Sequence, residues 1–588
     1  MRNRAVWAGV LGVALVSLAV FWPSFEFSFL RWDDPVNVTE NPLLLRPSWA
    51  SLGQIWNAAY EGLYVPLTYS AWLAVVAIAG LPPSPAVFHG LNTVTHLVNV
   101  LLVFAWFFRL LPHAGSSAAW QRGAGATAGA LLFAIHPLQV EPVAWVTCFR
   151  DLLSATFALL TLHLVLGSAD AREGARGPAP GGSQVEPADN GPSRFVSPSV
   201  KAQILAGITF SLALLAKPSV ASLPFVVGAV SLLVRREGLL VALRRAAPLA
   251  ALSIVAIWVT RQAQHGAGAA ADPLWLRPLV ALDALQFYLA KLVWPASLSL
   301  DYGRTTSSLS QAGSFAWCWI LPLLVLGGAW ALRRRWPPAL FGAAIFLSAL
   351  LPTLGLVSFA FQSFSNVADR YAYLALLGPG LWAAFAVQRF GTKALAPLGL
   401  ALLALSVTCR LTLVPWSANE SLFARTLDVS PHSAMAATNL GLTRLERGDA
   451  AGALGLFERA VASNPDYLVA VENLGTTLVD LRRYAEAIPH LQRALRQGVP
   501  SADLEVNLGA ALVLSGSIDE GVTHYRRALE LNPRFAQAYS NLGAVELAYG
   551  RYDAAQKLFQ QAVQLAPQNE AFRRNLEKAR ALGAGAAP

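Results

Sequence analysis

Runs of apolar residues, long enough to cross a bilayer as helices, recur through roughly the first 415 residues and are separated by short basic turns. Such a run must satisfy its backbone hydrogen bonds internally, because lipid offers none, so helices that pack on one another are the expected outcome. The first run, Ala5 to Trp22, follows Arg2 and Arg4. It has no small-x-small cleavage site before Trp22-Pro23 and reads as a retained signal anchor. Further runs fall near 65–82, 86–111, 124–135, 152–167, 202–216, 219–234, 246–261, 315–332, 338–357, 371–388 and 393–413. With 55% hydrophobic and only 13% charged residues, the 588-residue chain is too poor in charge for a soluble globular protein. The expected fold class is all-α, with a polytopic membrane bundle of about 11 spans over residues 1–415. The formal charge of +10 sits in turns between spans, so it is no sign of nucleic-acid binding. Cys148, Cys318 and Cys409 are scattered and form neither a disulfide framework nor a zinc spacing.

The basic turns orient the bundle. Arg235, Arg236, Arg244 and Arg245 flank one turn, Arg333 to Arg335 form a second cluster, and Arg389 with Lys393 a third. Placing these in the cytoplasm, with Arg2, Arg4 and a Gly/Pro/Ser-rich loop at 168–200 read as disordered, satisfies the positive-inside rule. Everything after Trp416 is then extracytoplasmic, in a bacterial-type inner membrane or the ER. The short run 124–135 becomes re-entrant or a half-span, because the polar series Gln139, Glu141, Arg150, Asp151 has to lie outside.

Beyond Trp416 the composition turns polar and periodic. Asn-Leu-Gly begins at Asn439, Asn473, Asn507 and Asn541, a spacing of 34 each time. That period is the tetratricopeptide length. In register with it, the second helix of each unit carries small and aromatic or branched residues: Ala453, Phe457, Ala460; Ala487, Leu491, Ala494; Gly521, Tyr525, Ala528; Ala555, Phe559, Ala562. Pro465, Pro533 and Pro567 stop those helices. The expected layout is a connector at 416–433, four repeats over 434–567, and a capping helix and tail at 568–588, the helix over 568–583.

Polar residues near the apolar runs collect on the extracytoplasmic side of this topology. Asp33 and Asp34 lie in the first outer loop, and Glu141, Arg150 and Asp151 follow the half-span. Lys217 stands between two spans, Asp301 and Tyr302 lie in a long outer loop 262–314, and Asp369 and Arg370 open a late span. Charged groups beside hydrocarbon are functional or paired. One reading makes Arg150 with Asp151, and Arg370 with Asp369, interfacial pairs that hold helices together. The other assembles the set into a site where carboxylates act as base and cations hold a phosphate. His89, Asn92 and His96 share one face of the third span. Two histidines seven residues apart are about 10 Å apart on a helix, which favours interhelical hydrogen bonds over metal ligation. No divalent metal is indicated, though a cofactor stays open.

At this point the chain resembles the transmembrane and tetratricopeptide-repeat-containing O-mannosyltransferases of the GT-C glycosyltransferase class. The segments that carry the likeness are Trp32-Asp33-Asp34, Pro66-Leu67, Phe88-His89-Gly90-Leu91-Asn92 with His96 and Asn99, and His136-Pro137 through Trp145 followed by Arg150-Asp151-Leu152-Leu153. Later ones are Leu215-Ala216-Lys217-Pro218, Asp301-Tyr302, Leu350-Leu351-Pro352-Thr353 and Ala368-Asp369-Arg370-Tyr371-Ala372-Tyr373. The resemblance implies transfer of a hexose from a polyprenyl-phosphate donor to Ser or Thr hydroxyls of a polypeptide, with Asp33 or Asp34 as base. Glu141, Arg150, Asp151, Lys217, Asp301, Tyr302, Asp369 and Arg370 would then surround the donor phosphate and sugar. The family usually has a bulky aromatic shortly after the acid pair, whereas Pro35-Val36-Asn37-Val38 stands here. Two other readings stay open: a membrane-anchored repeat scaffold with an inactive transferase half, and a transferase with a lipid or glycan acceptor.

Overall fold

The computed structural model describes residues 2–112, 118–167, 199–264 and 273–585. Helices account for nearly all of its regular structure, and an isolated bridge between Tyr60 and Leu63 is the β pairing among the described residues. The chain forms two compact units, Met1–Ser430 and Pro431–Pro588.

Among the described residues of the first unit six helices are long and apolar enough to cross a membrane: Val6–Glu26, Pro85–Leu110, Val146–Leu166, Leu239–Ala263, Ser314–Leu332 and the stretch Leu377–Ser417. A seventh is bent: Trp120–Ile135 turns by 56° into Pro137–Ala144. Pro66–Ala79, Val200–Ala216, Pro218–Val234 and Pro338–Thr353 are apolar but shorter. The bend falls at His136-Pro137, where proline cannot continue the ladder of the preceding helix. Of the loop expected at 168–200, residues 168–198 lie outside the described residues, and Ser199 caps a helix that begins at Val200. The outer loop 262–314 is no simple loop, since Arg277–Val293 is helical and buries Val280, Ala284 and Tyr288.

Close helix contact in the first unit rests on missing side chains. A Cβ on Gly129 would meet the Gly380 carbonyl at 2.5 Å, and one on Gly125 the Ala384 carbonyl at 2.7 Å. Small residues four apart on each partner let Ala118–Ile135 and Leu377–Phe390 touch backbone to backbone. Polar side chains tie further helices. Asn92 Nδ2 donates to the Trp145 carbonyl at 2.7 Å, Asn99 Nδ2 to Leu152 O at 2.9 Å, and His96 Nδ1 pairs with the Tyr373 hydroxyl at 2.9 Å. Each residue of the face His89–Asn92–His96 thus makes a hydrogen bond, His89 reaching Ser28 O at 3.3 Å, while His89 Nδ1 and Asn92 Oδ1 are unmatched among the described residues.

The second unit stacks helix pairs in the 34-residue register: Ala434–Glu446 with Ala450–Ser463, Leu468–Asp480 with Tyr484–Gln497, Ala502–Leu514 with Ile518–Leu531, and Ala536–Ala548 with Tyr552–Leu565. Glu570–Gly583 closes the stack. The repeated glycine explains the period. A Cβ on Gly441 would lie 2.6 Å from the Phe457 ring, on Gly475 2.7 Å from Leu491, on Gly509 2.7 Å from Tyr525, and on Gly543 3.0 Å from Phe559. Each large side chain of the second helix therefore lies flat on the bare turn of the first.

The stretch expected as a connector at 416–433 contains the helix Asn419–Val429. Phe423, Thr426 and Pro431 precede Phe457, Ala460 and Pro465 by one period, so this helix is in register as the second half of an earlier repeat. Phe423 and Thr426 are fully buried, as Phe457 and Ala460 are.

These contacts generate a paired test on the isolated unit 431–588. Gly509→Ala should lower stability by about 1–3 kcal/mol through overpacking against Tyr525 and the Gly521 carbonyl. Gly455→Ala, on an exposed helix surface with nothing within 4 Å, should raise it by about 0.5–1 kcal/mol. Thermal denaturation followed by circular dichroism separates the two; equal melting shifts would refute the packing account.

Candidate functional site

The two acids of the first loop have different fates. Pro35 starts a short π-helical turn, Pro35–Thr39, and Asp34 sits at its entrance. The Asp34 carboxylate is fully buried and takes three hydrogen bonds: from Leu30 N at 2.8 Å, Thr147 N at 3.2 Å and the Thr147 hydroxyl at 2.6 Å. Burial pushes its carboxyl up to about 6, against the pull of the Thr147 and Leu30 donors. It is a clasp between the loop and the segment after Trp145. Asp33 points elsewhere: its side chain is 33% exposed, and Oδ2 lies 3.5 Å from an Arg150 terminal nitrogen. That distance is longer than a tight guanidinium–carboxylate bond, so the carboxylate stays open to another partner. The loop is held by Asn37, whose Nδ2 donates to the Asp33 carbonyl at 2.9 Å while its Oδ1 accepts from the buried Tyr69 hydroxyl at 2.7 Å. On its other side Arg31 N donates to Asn419 Oδ1 at 2.8 Å, and Ser28 N to the Ser417 carbonyl at 3.3 Å.

Arg150 and Asp151 open the helix Phe149–Leu166. Adjacent on one helix turn, they face different partners. Arg150 leans on Asp33, and its buried Nε has no partner among the described residues. Asp151 Oδ1 accepts from Lys217 Nζ at 2.5 Å, while its buried Oδ2 is unmatched among those residues. Lys217 is set by Ser154, whose hydroxyl donates to the Ala213 and Lys217 carbonyls at 2.9 and 3.1 Å. Arg150 and Arg370 both lie near enough for their charges to act on Lys217.

Arg370 is used differently. Its backbone N–H donates to Glu141 Oε2 at 2.9 Å and its guanidinium to Glu141 Oε1. The guanidinium carbon stands 4.3 Å from the centre of the Phe361 ring, 4.9 Å from Tyr371 and 5.4 Å from Trp145. Both partners of this pair are buried. One of the two readings took Arg150 with Asp151, and Arg370 with Asp369, as interfacial charges; the ion pairs observed are Arg370–Glu141, Arg150–Asp33 and Lys217–Asp151. Neighbouring residues on a helical turn diverge by about 100°, which sends them to different elements.

Asp301 accepts from Gly303 N at 2.7 Å and is 2% exposed, which shapes the turn before Thr305. The Tyr302 hydroxyl donates to Asp369 Oδ1 at 2.6 Å and accepts from Ser299 N at 3.1 Å. Burial, then the nearby Glu141 charge, pushes the Asp369 carboxyl well above its usual range. The structure thus brings Asp33, Arg150, Asp151 and Lys217 into one partly open group, joins Glu141 to Arg370 and Tyr302 to Asp369 beside it, and leaves Asp34 and Asp301 as internal clasps. Among the described residues no group of three His, Cys, Asp or Glu is arranged to hold a metal ion. Sequence reasoning missed Thr147, Tyr69 and Asn419, whose link to the acid loop is a tertiary one. A cavity of about 500 Å³ lies between the 295–299 loop, the end of Leu395–Leu413 and Asn419–Val429, and none of the ten expected site residues lines it.

Tetratricopeptide repeat family models match residues 418–467, 444–512 and 500–568, so this part of the chain carries such repeats. The first match begins at 418 and takes in the helix Asn419–Val429, within the stretch expected as a connector. No curated protein matches the chain. Similar solved structures include YrrB, described as a tetratricopeptide protein with an unusual peptide-binding site, at 22% identity over 28% of this chain and 84% of that one, TM-score 0.24. MamA from Desulfovibrio magneticus RS-1 is 18% identical over 25% of this chain and 84% of its own, TM-score 0.24. Another MamA structure is 24% identical over 25% and 86%, TM-score 0.23.

The two acids should separate by stability. Asp34→Asn places an amide NH₂ against Leu30 N–H or Thr147 and is expected to cost about 1–3 kcal/mol, seen as a lower melting temperature of the purified protein. Asp33→Asn should leave that temperature within about 0.5 kcal/mol of the parent. A larger loss from Asp33→Asn than from Asp34→Asn would reverse the assignment of clasp and open acid.

Proposed function

We propose that the chain is a membrane-embedded glycosyltransferase that moves a hexose, mannose-like in class, from a polyprenyl-phosphate donor to Ser or Thr hydroxyls of an extracytoplasmic polypeptide. The reading rests on the family resemblance, and one observation carries it at the level of residues. Of the two loop acids, Asp33 alone is exposed, and it faces Arg150 with Lys217 in the next ion pair. In this reading Asp33 takes the proton of the acceptor hydroxyl as its oxygen forms a bond to the anomeric carbon. The bond from that carbon to the phosphate oxygen breaks, and the polyprenyl phosphate leaves with the electron pair. Arg150 and Lys217 meet the charge that develops on the leaving oxygen. Arg370, already bound to Glu141, orients the segment that presents Arg150 and does not hold phosphate. Glu141, Tyr302, Asp369 and Asp301 shape the surroundings.

The repeats would hold acceptor polypeptide, since stacks of this kind present a concave surface to peptides. Their presence equally supports a pure scaffold, in which the membrane half only anchors. We further propose that the bundle crosses the membrane about 11 times, counting the shorter apolar helices, taking Leu377–Phe390 and Leu395–Leu413 as separate spans and the bent pair as re-entrant, with the arginine-rich turns cytoplasmic and the array outside.

Transfer is tested by incubating the purified protein with labelled polyprenyl-phosphate hexoses and scoring peptide and lipid products. Asp33→Asn should lower transfer by about 100-fold or more at unchanged folding, the scale of a lost general base. Undiminished transfer by Asp33→Asn would remove the base, and no transfer by the parent with any hexose would favour the scaffold. Topology is tested by cysteine labelling in a background lacking Cys148, Cys318 and Cys409. Residues in the array and at 136–150 should react from outside the cell, and Arg333–Arg335 positions only after permeabilisation; the opposite pattern overturns the orientation.

A further inference from the structure

The cavity beside Asn419–Val429 has features of its own. It measures about 500 Å³, within the range of small-molecule sites, and Arg425 lines it. Arg425 makes no ion pair with a described residue, and no carboxylate lines the cavity. Lys291, held by the Ala296 and Ser297 carbonyls at the cavity loop, is close enough to feel the Arg425 charge. Asp369 acts on Lys291 as well, so the charge that the cavity itself carries is Arg425, set in a mixed polar and apolar hollow. The apolar side is continuous with the outside of the bundle. Leu400, Leu403, Val407, Leu411 and Val414 form one stripe at helical spacing along Leu395–Leu413 and just past it, each more than half exposed. Leu411 and Val414, at the end of that stripe, also line the cavity. Beside its loop, Val293 and Trp294 are strongly exposed, as suits residues at a membrane–water boundary.

From this continuity we propose that the cavity binds the headgroup of an anionic phospholipid, its phosphate against Arg425 and an acyl chain along the Leu400–Val414 stripe. The chemistry required is a phosphate on an apolar tail: a soluble phosphate gains nothing from the stripe, and a zwitterionic lipid gains less from Arg425. The inference is independent of the transfer reading, because none of the residues assigned to that chemistry lines the cavity.

The test is native mass spectrometry of the full-length protein, purified in detergent, with dioleoyl-phosphatidylglycerol or dioleoyl-phosphatidylcholine added. The parent should retain phosphatidylglycerol about tenfold more strongly, the scale of one charge-assisted contact, and Arg425→Gln should lose the preference while staying monodisperse. Thr412→Trp, which fills the hollow, should lower retention of both lipids. Inorganic phosphate in large excess should leave the bound lipid in place. Equal retention by parent and Arg425→Gln, displacement by inorganic phosphate, or displacement by polyprenyl phosphate that phosphatidylglycerol cannot reverse would each overturn the proposal.

Discussion

Glu141 and Arg370 meet across 229 residues of sequence, both buried, with the guanidinium enclosed by Phe361, Tyr371 and Trp145. Removing either partner would strand a charge in the bundle, a loss of about 3–5 kcal/mol for buried pairs. Much of the first unit hangs from this contact. It holds the turn Asp369–Ala372 against the segment 137–145, and that segment leads directly into Thr147, which clasps Asp34, and into Arg150 and Asp151. The open acid is thus positioned at the end of a chain of polar contacts, of which Glu141–Arg370 and Thr147–Asp34 are buried where an unmade bond is costly.

The two units solve close packing in the same way. In the bundle, Gly125, Gly129 and Gly380 let helices meet at their backbones; in the array, Gly441, Gly475, Gly509 and Gly543 each receive a large side chain from the next helix. The physical gain differs. Between helices apolar enough to cross a membrane, close approach supplies dispersion and backbone contact, the terms that count where burial of apolar surface brings little. In water, the same geometry excludes solvent from Phe457, Leu491, Tyr525 and Phe559, all buried.

The candidate site was legible in part. The polar residues stood out because charge beside long apolar runs is costly, and Asp33, Arg150, Asp151, Lys217, Glu141 and Arg370, singled out on that ground, form ion pairs with one another. Their pairing was not legible. Adjacent residues such as Arg150 and Asp151 look like natural partners in a linear string, yet a helix points them apart, and their true partners come from Asp33 and Lys217. Nor did the string tell Asp33 from Asp34. The distinction depends on Thr147, 113 residues away, which buries one carboxylate and leaves its neighbour half-open.

By itself the sequence determined an all-helical chain with an apolar first part and a 34-residue repeat after it. Hydrophobic run length and the recurrence of Asn-Leu-Gly are local properties, and local properties survive without knowledge of the fold. It also carried, unread, the earlier half-repeat at Asn419–Val429, whose Phe423, Thr426 and Pro431 keep the period though the tripeptide is absent. Tertiary structure alone decided which acid is open, which cation is already spent, and that Arg425 faces a hollow continuous with the bundle's apolar surface. Those outcomes depend on which helices become neighbours, and that is set by backbone approach at a few glycines and by buried hydrogen bonds between residues far apart in the chain.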